Sequence, residues 1–557
     1  MTPSFRAPSG ASGHAAPSGP AVALAAPHLD AVRAARAVVA EGGNAVDAAV
    51  CAAAVLTVVY PHMCSVGGDL IALVRSADGT QTCVNASGAY GSGASVDELF
   101  AGVATMPVSG PLTVSVPGTP SGWATLLERW GSLPAARVLA PAIALARDGM
   151  VVSPGLAGAI LDDREALFAD PGMRAVFFAD GVPAAAGTVI RQPALAATLE
   201  SLAADGLPSF YTGAVSGRLA AGFAELGVPV TAGDLAAHEP RLERPLTAEF
   251  AGLRVSTAAP NSQGYTMLRT LGALEVIAGA DPSHPPVAGA PSAPSSRPSP
   301  SVVDAAVLAE LFHSGDVLRD SELADPLVVP VDVAGVLSPP ALADAASAAL
   351  AGARTGARAE SVVTPRPGGD TIAVTAVAAD GTAVSLIQSV FHSFGSLLLE
   401  PSTGLVLHNR AAFFTLQEGA PNRVAAGKRP AHTLMPVLVE TAAGQVAAHG
   451  TMGGKAQSQI HAQLLLRVLE GASPHEAVTA PRFIVGGLDK GTSNDYIVVE
   501  PTLPPLVREQ LERGSLRLVE GTHLDSDAGH AMIARLDPSG LLSAGADPRS
   551  DGGVFVS

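Results

Sequence analysis

The first hundred residues combine two patterns of apolar positions, one helical and one extended. Apolar side chains recur at helical spacing over His28–Ala40 and over Ala45–Val59, which predicts two helices. Two glycines, Gly42 and Gly43, lie between these runs, and Asn44 precedes the second one. Glycine commonly ends a helix and asparagine commonly caps the next, so we expect a short turn here.

Two pairs of strand-like runs are each joined by an Asp-Gly turn, which is a strong hairpin signal. The first pair is Leu70–Arg75 with Gln81–Asn85, and the second is Thr371–Ala378 with Thr382–Val390. Helical spacing over Gly122–Ala146 lies between the two pairs. Further strands are predicted at 404–407, 435–440 and 446–449, followed by a helix at 457–469. Helices on both sides of the strands indicate an α+β fold in which sheets lie between helical layers.

Two segments have compositions that do not support a packed core. Residues 1–20 are rich in Ser, Pro, Gly and Ala, and we interpret them as a flexible tail. Residues 281–301 read DPSHPPVAGAPSAPSSRPSPS and could link two domains. Helical periodicity resumes at Val302–Phe312, so a surface loop inserted in one fold is the preferred interpretation.

Composition and charge exclude several classes of protein. The 557 residues are 48% hydrophobic, which is enough for one large domain or two intertwined ones. A net charge of -17 argues against a nucleic-acid partner, since phosphate binding requires clustered Lys and Arg. Three irregularly spaced cysteines make no disulfide framework, and no CxxC or HExxH motif indicates a metal. No run suits a membrane span or a signal peptide, so we expect a cytoplasmic protein without a membrane partner.

A candidate nucleophile lies at the start of the second hairpin, in the run Gly368-Gly369-Asp370-Thr371. A threonine hydroxyl needs a base to take its proton, and cleavage before Thr371 would supply one in the freed α-amine. The two preceding glycines would let the chain bend around the bond between Asp370 and Thr371. A threonine at this position can equally be an ordinary strand residue.

A glycine pair, Gly453-Gly454, lies between a predicted strand and a predicted helix. Backbone N–H groups at such a place point outward at the positive end of the helix dipole. They are suited to stabilise the oxyanion of a tetrahedral acyl intermediate. A plain tight turn is the alternative interpretation of the same two residues.

Six separated segments of the chain carry short motifs that occur together, and in this order, in one known protein family. They are Glu41–Ala49 (EGGNAVDAA), Val116–Pro120 (VPGTP), Gly368–Gly395, Gly427–Pro430 (GKRP), Thr451–Gly454 (TMGG) and Ala546–Asp551 (ADPRSD). Together they resemble the gamma-glutamyltransferase family from about residue 28 to residue 557. The resemblance implies an N-terminal-nucleophile hydrolase with a four-layer αββα sandwich, whose precursor cuts itself before a threonine into two associated subunits. It implies no metal and no organic cofactor.

Carried over residue by residue, the resemblance implies roles for individual side chains. Thr371 is the implied nucleophile, and Ser389 is the second hydroxyl that orients it. Gly453 and Gly454 are the implied oxyanion donors. The cleavage site then lies between Asp370 and Thr371. The two subunits would span residues 21–370 (large, after the tail) and 371–557 (small and catalytic).

The residues by which members of the family hold an amino-acid substrate are missing. No Arg or Lys occurs between Arg75 and Arg129, where the family has the arginine that binds the glutamyl α-carboxylate. The run 409–414 (NRAAFF) contains no acid to bind the α-ammonium. An unpaired ammonium would lose a charge-assisted contact of about 1.5–3 kcal/mol. We therefore expect glutathione to be a poor substrate.

The altered positions resemble the oxamate amidohydrolase branch of the family instead. Arg410 is the candidate for binding a carboxylate next to the attacked carbonyl, since a guanidinium matches carboxylate geometry. A surface salt bridge is the alternative for Arg410. We expect it to bind substrate without taking part in self-cleavage. Four further residues are predicted to contact substrate or support the site: Phe391, Phe413, His432 and Thr433.

The sequence thus predicts an autoprocessed threonine amidohydrolase or acyltransferase that acts on a small carboxylate-bearing amide or an oxalyl-type substrate. Its predicted partners are this small molecule and the two subunits of one precursor. Three alternatives remain open. The chain could be a true γ-glutamyltransferase or glutathione hydrolase. It could be an enzyme of secondary (antibiotic) metabolism that cleaves a C–C bond to remove an oxalyl-like group, or a processed binding protein without catalytic activity.

Overall fold

The computed structural model describes residues 21–93, 95–279, 303–354, 370–486 and 495–557 of the chain. The predicted tail (1–20) and the Pro/Ser-rich segment (281–301) lie outside the described residues, as do Gly368 and Gly369. Asp370 and Thr371 are the first two residues of the strand Asp370–Ala378.

Two antiparallel sheets form the centre of the molecule. The seven-stranded sheet consists, in spatial order, of Gly553–Val556, Val22–Ala26, Asp370–Ala378, Ala383–Phe391, Asp69–Arg75, Gln81–Asn85 and Arg241–Glu243. The six-stranded sheet consists of Leu542–Ala546, Ala531–Leu536, Val446–Thr451, Val437–Thr441, Leu253–Thr257 and Leu246–Phe250. Each sheet combines strands from before and after Thr371, so the two predicted subunits would share both sheets.

Alternation of side chains along each strand produces the layers. In Asp370–Ala378, Ile372 and Val374 pack among helical residues, whereas Ala373 and Val377 pack against the six-stranded sheet. The six-stranded sheet has a second layer of helices on its outer face. The order of layers is therefore helix, sheet, sheet, helix, and the predicted αββα sandwich is confirmed.

Helices cover the outer face of each sheet. Ala45–Val59 is buried along its whole length, because it lies between the seven-stranded sheet and two further helices, Leu29–Ala40 and Ala135–Asp148. Asn44 caps it as predicted and forms a capping box with Asp47. The other helices of the described chain are Val96–Leu99, Thr119–Trp130, Pro154–Asp162, Arg164–Ala169, Pro171–Phe177, Pro193–Asp205, Ser209–Thr212, Ala214–Leu226, Ala232–Ala236, Gly264–Gly279, Ala305–Glu322, Val333–Val336, Pro339–Gly352, Gln457–Leu469, Pro474–Thr479 and Pro505–Arg513.

Both predicted hairpins are confirmed, and the differences at element boundaries have local causes. The helix predicted from His28 begins at Leu29, because the His28 side chain caps it. The strand predicted at 404–407 is limited to Leu405–Val406, since its partner strand has only two residues. Short strands outside the two main sheets are Met150–Val151, Phe178–Ala179, Val182–Pro183, Val189–Ile190, Leu399–Glu400, Leu405–Val406, Phe483–Val485, Tyr496–Val499 and Arg517–Glu520.

The register of the seven-stranded sheet places three polar residues side by side at one end. Thr371 pairs with Ser389, and Ser389 pairs with Asp69 on the next strand. The residues next to them in sequence, among them Ile372 and Leu70, face the helices. By alternation, the three polar side chains face the space between the two sheets.

Candidate active site

The Thr371 hydroxyl is buried, with only 2% of the residue exposed, and lies against a second hydroxyl. Its Oγ1 donates a hydrogen bond to Ser389 Oγ at 3.0 Å. Ser389 Oγ donates in turn to the carbonyl oxygen of Asp370 at 2.7 Å and accepts from the Phe391 N–H at 2.8 Å. The second hydroxyl therefore touches both the threonine oxygen and the carbonyl of the peptide bond that precedes it.

Arg410 reaches this hydroxyl pair from a short 3-10 helix, Arg410–Phe413. Its Nη2 donates to Ser389 Oγ at 3.3 Å, and its Nη1 donates to Thr433 Oγ1 at 3.2 Å. The side chain is fully buried, so the alternative of a surface salt bridge is wrong. The Phe391 ring covers the guanidinium, with Arg410 Cζ 4.2 Å from the ring centroid.

The carboxylate of Asp69 balances the charge of Arg410 and gathers two histidines as well. Its Oδ2 lies 3.5 Å from Arg410 Nε, 3.2 Å from His408 Nδ1 and 3.0 Å from His432 Nε2. Its Oδ1 accepts the Gly88 N–H at 3.3 Å. All four side chains are completely buried, so this is a dry cluster of one acid and three basic groups.

Burial and charge set the protonation of the cluster. Burial by itself would raise the pKa of Asp69, but the neighbouring His408 and His432 outweigh it and hold that pKa well below its usual range. Burial, helped by the charge of Arg410, lowers the pKa of His432 to about 4. Its Nδ1 accepts the Leu434 N–H, so the neutral ring donates from Nε2 to Asp69. Burial lowers the pKa of Arg410 to about 10, which leaves the guanidinium charged at neutral pH.

The other side of the site is apolar. The Phe391 and Phe413 rings meet edge to face at 5.6 Å, and Tyr265 packs in the same cluster. Lys455 lies beside this cluster, with its Nζ 5.8 Å from the centroid of the Phe413 ring. The same ammonium pairs with Asp320 at 3.2 Å. This apolar side of the site therefore has a buried cation next to it.

The glycine pair lies at the start of the helix Gln457–Leu469, as its sequence context predicts. Gly453 has φ +145° and Gly454 has φ +49°, and a 3-10 turn connects them to the helix. Gln263 links the pair to the Arg410 region, because its Nε2 donates to the carbonyl oxygens of both Gly454 and Thr433. The oxyanion role of the glycines stays a prediction.

The structure brings Thr371, Ser389, Phe391, Arg410 and Thr433 into one contact network. His432 joins it through Asp69, and Phe413 joins it through Phe391. Sequence reasoning missed three members of the site. They are Asp69, His408 and Lys455. For Asp69 a signal existed, because a charged residue directly precedes the apolar run Leu70–Val74, which is fully buried.

Within the described residues, no group of three or more His, Cys, Asp or Glu side chains is arranged to hold a metal ion. Among the helices of the described residues, none combines the length and the apolar character required to cross a bilayer.

The αββα sandwich, in which Thr371 is the second residue of a central strand, is the fold of the N-terminal-nucleophile hydrolases. The Gamma-glutamyltranspeptidase profile matches residues 31–557, and the chain belongs to that family. The oxamate amidohydrolase proenzyme of Klebsiella pneumoniae is 37% identical over 537 residues, which cover 95% of this chain and 97% of that protein.

Two further similarities bear on the class of reaction. The Glutathione hydrolase-like YwrD proenzyme of Bacillus subtilis is 32% identical, with 95% of this chain and 97% of that protein covered. The crystal structure of cephalosporin acylase from Bacillus halodurans superposes with a TM-score of 0.82 at 28% identity, covering 96% of each chain. These relatives are hydrolases and acylases, and the chain is an enzyme of the same class.

Proposed function

We propose that this chain is an autoprocessed threonine amidohydrolase or acyltransferase in which Thr371 is the nucleophile of both self-cleavage and turnover. One observation carries the proposal: the Ser389 hydroxyl lies between the Thr371 hydroxyl and the carbonyl oxygen of Asp370. Self-cleavage must join this nucleophile to this carbonyl. The relatives from K. pneumoniae and B. subtilis support it, since both are named as proenzymes.

Self-cleavage begins with an N-to-O acyl shift. Thr371 Oγ1 attacks the carbonyl carbon of Asp370 while its proton passes to Ser389 Oγ, and the Ser389 proton passes to the Asp370 oxygen. The tetrahedral intermediate is therefore neutral. Its collapse breaks the C–N bond, returns the hydroxyl proton to the nitrogen and leaves an ester between Asp370 and Thr371. Water then hydrolyses the ester to a carboxylic acid and a free threonine.

Turnover uses the α-amine that cleavage frees. The amine takes the proton of the Thr371 hydroxyl as Oγ1 attacks the substrate carbonyl, and it then protonates the leaving amine. The N–H groups of Gly453 and Gly454 stabilise the oxyanion. The acyl group on Thr371 is released when water or a second amine attacks the ester. Water gives an amidohydrolase, and an amine gives an acyltransferase.

The proposed substrate is a small amide that carries a carboxylate, or an oxalyl compound. Arg410 Nη1 and Nη2 each make one contact to a hydroxyl, so each retains a second N–H for a substrate carboxylate. Three basic nitrogens already lie within 3.5 Å of Asp69 Oδ2, so this carboxylate is not available to bind an α-ammonium. The K. pneumoniae relative is named for oxamate, whose amide adjoins a carboxylate.

Intact-mass analysis of the purified protein tests the nucleophile. Two tightly associated chains are expected, the smaller one beginning Thr-Ile-Ala-Val, and their separation should require denaturant because they share both sheets. Thr371→Ala should stay whole and inactive, whereas Thr371→Ser should cut because it keeps a hydroxyl. Cutting of the alanine variant, or a wild type that stays whole after long incubation, would contradict the assignment.

A substrate screen tests the substrate class. Oxamate, oxalyl amides, γ-glutamyl anilides and glutathione are compared with fully cleaved protein. We expect turnover of the first two groups and poor turnover of the others. Efficient glutathione hydrolysis would favour the second candidate, a glutathione hydrolase, which the name of the B. subtilis relative supports. No turnover of any of them would favour a processed binding protein.

A further inference from the structure

The dry cluster around Asp69 includes Arg410, which donates to the Ser389 hydroxyl. That hydroxyl contacts the carbonyl oxygen of the peptide bond between Asp370 and Thr371. We propose that Asp69 and Arg410 are positioning residues for self-cleavage, which act by fixing the proton of Ser389 on the carbonyl oxygen of Asp370. The proposal rests on the proposed function, since it assumes cleavage before Thr371. It gives Arg410 a role in self-cleavage, whereas the sequence predicts that Arg410 binds substrate without taking part in that step.

The contacts of Ser389 Oγ leave its proton one direction. A hydroxyl has one proton to donate and two lone pairs to accept with. Three donors surround this oxygen, namely Thr371 Oγ1 at 3.0 Å, the Phe391 N–H at 2.8 Å and Arg410 Nη2 at 3.3 Å, so both lone pairs are occupied and the longest contact shares one of them. The Ser389 proton is therefore directed at the Asp370 oxygen, 2.7 Å away.

The charge of Arg410 makes this hydroxyl a stronger donor. A cation that donates to a hydroxyl oxygen draws electron density from its O–H bond, and chains of hydrogen bonds polarise one another in a dry environment. During the attack by Thr371, negative charge moves toward the Asp370 oxygen. A proton held there by Ser389, with a positive charge behind it, stabilises that shift.

Asp69 keeps the guanidinium charged and in place. A fully buried cation without a partner is strongly unfavourable, and Asp69 is the carboxylate that faces Arg410. The carboxylate is itself fixed by Gly88 and His432, and the far side of the guanidinium is fixed by Thr433. Asp69 and Ser389 are also paired in register on neighbouring strands, so the sheet sets their separation.

The test measures the rate of self-cleavage in precursor made by cell-free translation, followed by gel electrophoresis and intact mass. Arg410→Gln removes the charge and should slow cleavage by about 100-fold or more. Arg410→Lys keeps the charge without the planar fork and should recover part of that loss. Asp69→Asn should slow cleavage by about 10- to 100-fold, because the guanidinium loses its carboxylate partner.

Thermal melting of each uncut precursor separates positioning from folding. If Arg410 and Asp69 only support the fold, cleavage rates should follow the melting temperatures. Under the proposal, Arg410→Lys cleaves much faster than Arg410→Gln even where both melt at the same temperature. Thr433→Val is the milder variant, since it keeps both charges and removes only the hydroxyl on Arg410 Nη1. It should fold and cleave a few-fold more slowly.

The outcomes distinguish this proposal from the proposed function. A wild-type cleavage rate in folded Arg410→Gln would overturn the positioning roles and leave Thr371 as the nucleophile. Wild-type rates in both of the single variants Thr433→Val and Asp69→Asn, each of them folded, would do the same. A wild type that never cleaves would overturn the proposed function itself. Slower cleavage in all four variants, ordered by charge rather than by melting temperature, supports the positioning roles.

Discussion

The strand Asp69–Arg75 carries an arginine–carboxylate pair at each end, and the two pairs differ in their surroundings. At the Asp69 end, the acid and its three basic neighbours are completely buried. At the Arg75 end, the arginine Nε lies 2.6 Å from Glu440 Oε1, and the two side chains are 16% and 13% exposed. In both pairs the arginine and the carboxylate are distant in sequence, and both pairs lie on the side of the strand that faces the six-stranded sheet.

The two pairs differ in the other groups to which each arginine donates hydrogen bonds. Beyond Glu440, Arg75 donates to the carbonyl oxygens of Ser76 and Gly381, which have no proton to pass on. At the Asp69 end, the guanidinium donates to the hydroxyls of Ser389 and Thr433. The ion pair of Arg75 with Glu440 therefore stabilises the end of the sheet. The ion pair of Arg410 with Asp69 orients a proton that can be transferred. The role of each arginine therefore depends on the groups that it contacts beyond its carboxylate partner.

The largest expected effect is that of Ser389→Ala. It removes the hydroxyl that touches both Thr371 Oγ1 and the Asp370 oxygen, and we expect self-cleavage to slow by about 100-fold or more. The matched control is Ser385→Ala on the same strand, four residues nearer the Arg75 end. Ser385 is equally buried, but its hydroxyl bonds the His449 carbonyl oxygen and the Val437 N–H.

The control should lose about 1–3 kcal/mol of stability, because buried backbone groups lose a partner, yet keep its cleavage rate. Cleavage is measured by the fraction of precursor over time, and stability by urea denaturation of the uncut Thr371→Ala background. If both serine variants cleave at the same reduced rate, the distinction between the two ends of the sheet is wrong.

A smaller effect is expected from Gly453→Ala. Gly453 has φ +145°, which an L side chain rarely adopts, and a Cβ there would also lie 2.5 Å from Ile460 Cδ1, so we expect the turn to change its backbone conformation and displace its N–H group. Displacing one oxyanion donor should lower kcat by about 10- to 100-fold. Gly444→Ala is the control in the turn of the preceding hairpin, where φ is +91° and nothing lies within 4 Å of the added Cβ.

The Gly444 control should cost about 1 kcal/mol of backbone strain and leave kcat unchanged. Steady-state kinetics on fully cleaved protein provide the measurement. Equal losses of kcat in the two variants would indicate that general strain, rather than the position of the N–H groups, limits turnover.

The sequence predicts the half of the site that depends on local pattern. The two hairpins follow from alternating apolar residues around Asp-Gly turns, and the hairpin brings Thr371 opposite Ser389. The glycine pair follows in the same way from its place between a strand and a helix. The family resemblance adds Arg410, whose position at the start of a 3-10 helix has no strong local signal.

The other half depends on pairings between distant segments. Asp69 meets Ser389 only because two strands more than 300 residues apart become neighbours in the sheet. Periodicity predicts that each strand is buried, but it does not predict which strand lies beside it. The approach of Lys455 to Phe413 is of the same kind. Long-range register, rather than residue type, is what sequence reasoning lacks here.

Acid should protonate buried histidines of the active site, of the six-stranded sheet and of the helix Gln457–Leu469. Burial lowers the pKa of His432 to about 4 and those of His449 and His461 to about 3, from an ordinary value of 6.5. Between pH 6.5 and about 4 the unfolded chain therefore binds more protons than the folded one. Stability is lost as the pH falls through this window, by up to about 1.4 kcal/mol per pH unit for each such histidine.

Urea denaturation of Thr371→Ala at several pH values measures this loss, and His461→Leu should reduce its slope by removing one of these groups. Asp69 acts in the same direction at lower pH, because its depressed pKa gives stability that is lost as the carboxylate becomes protonated. Constant stability from pH 6.5 to pH 5 would show that these imidazoles are not buried as described.

The smallest effect is expected at the Arg75 end, from Glu440→Gln. Glu440 receives Arg75 and Gln81 at 2.6 Å each and Arg254 at 3.5 Å, but solvent reaches the group and weakens the attraction. Loss of its charge should cost about 1 kcal/mol of stability, and glutamine keeps the shape and one acceptor oxygen. Self-cleavage and kcat should stay at wild-type values, in contrast with Asp69→Asn at the opposite end of the same strand. Urea denaturation and the cleavage assay, run side by side on the two variants, compare the ends directly. If Glu440→Gln slows cleavage as much as Asp69→Asn does, loss of either ion pair disturbs the sheet as a whole, and the assignment of a special role to the dry cluster fails.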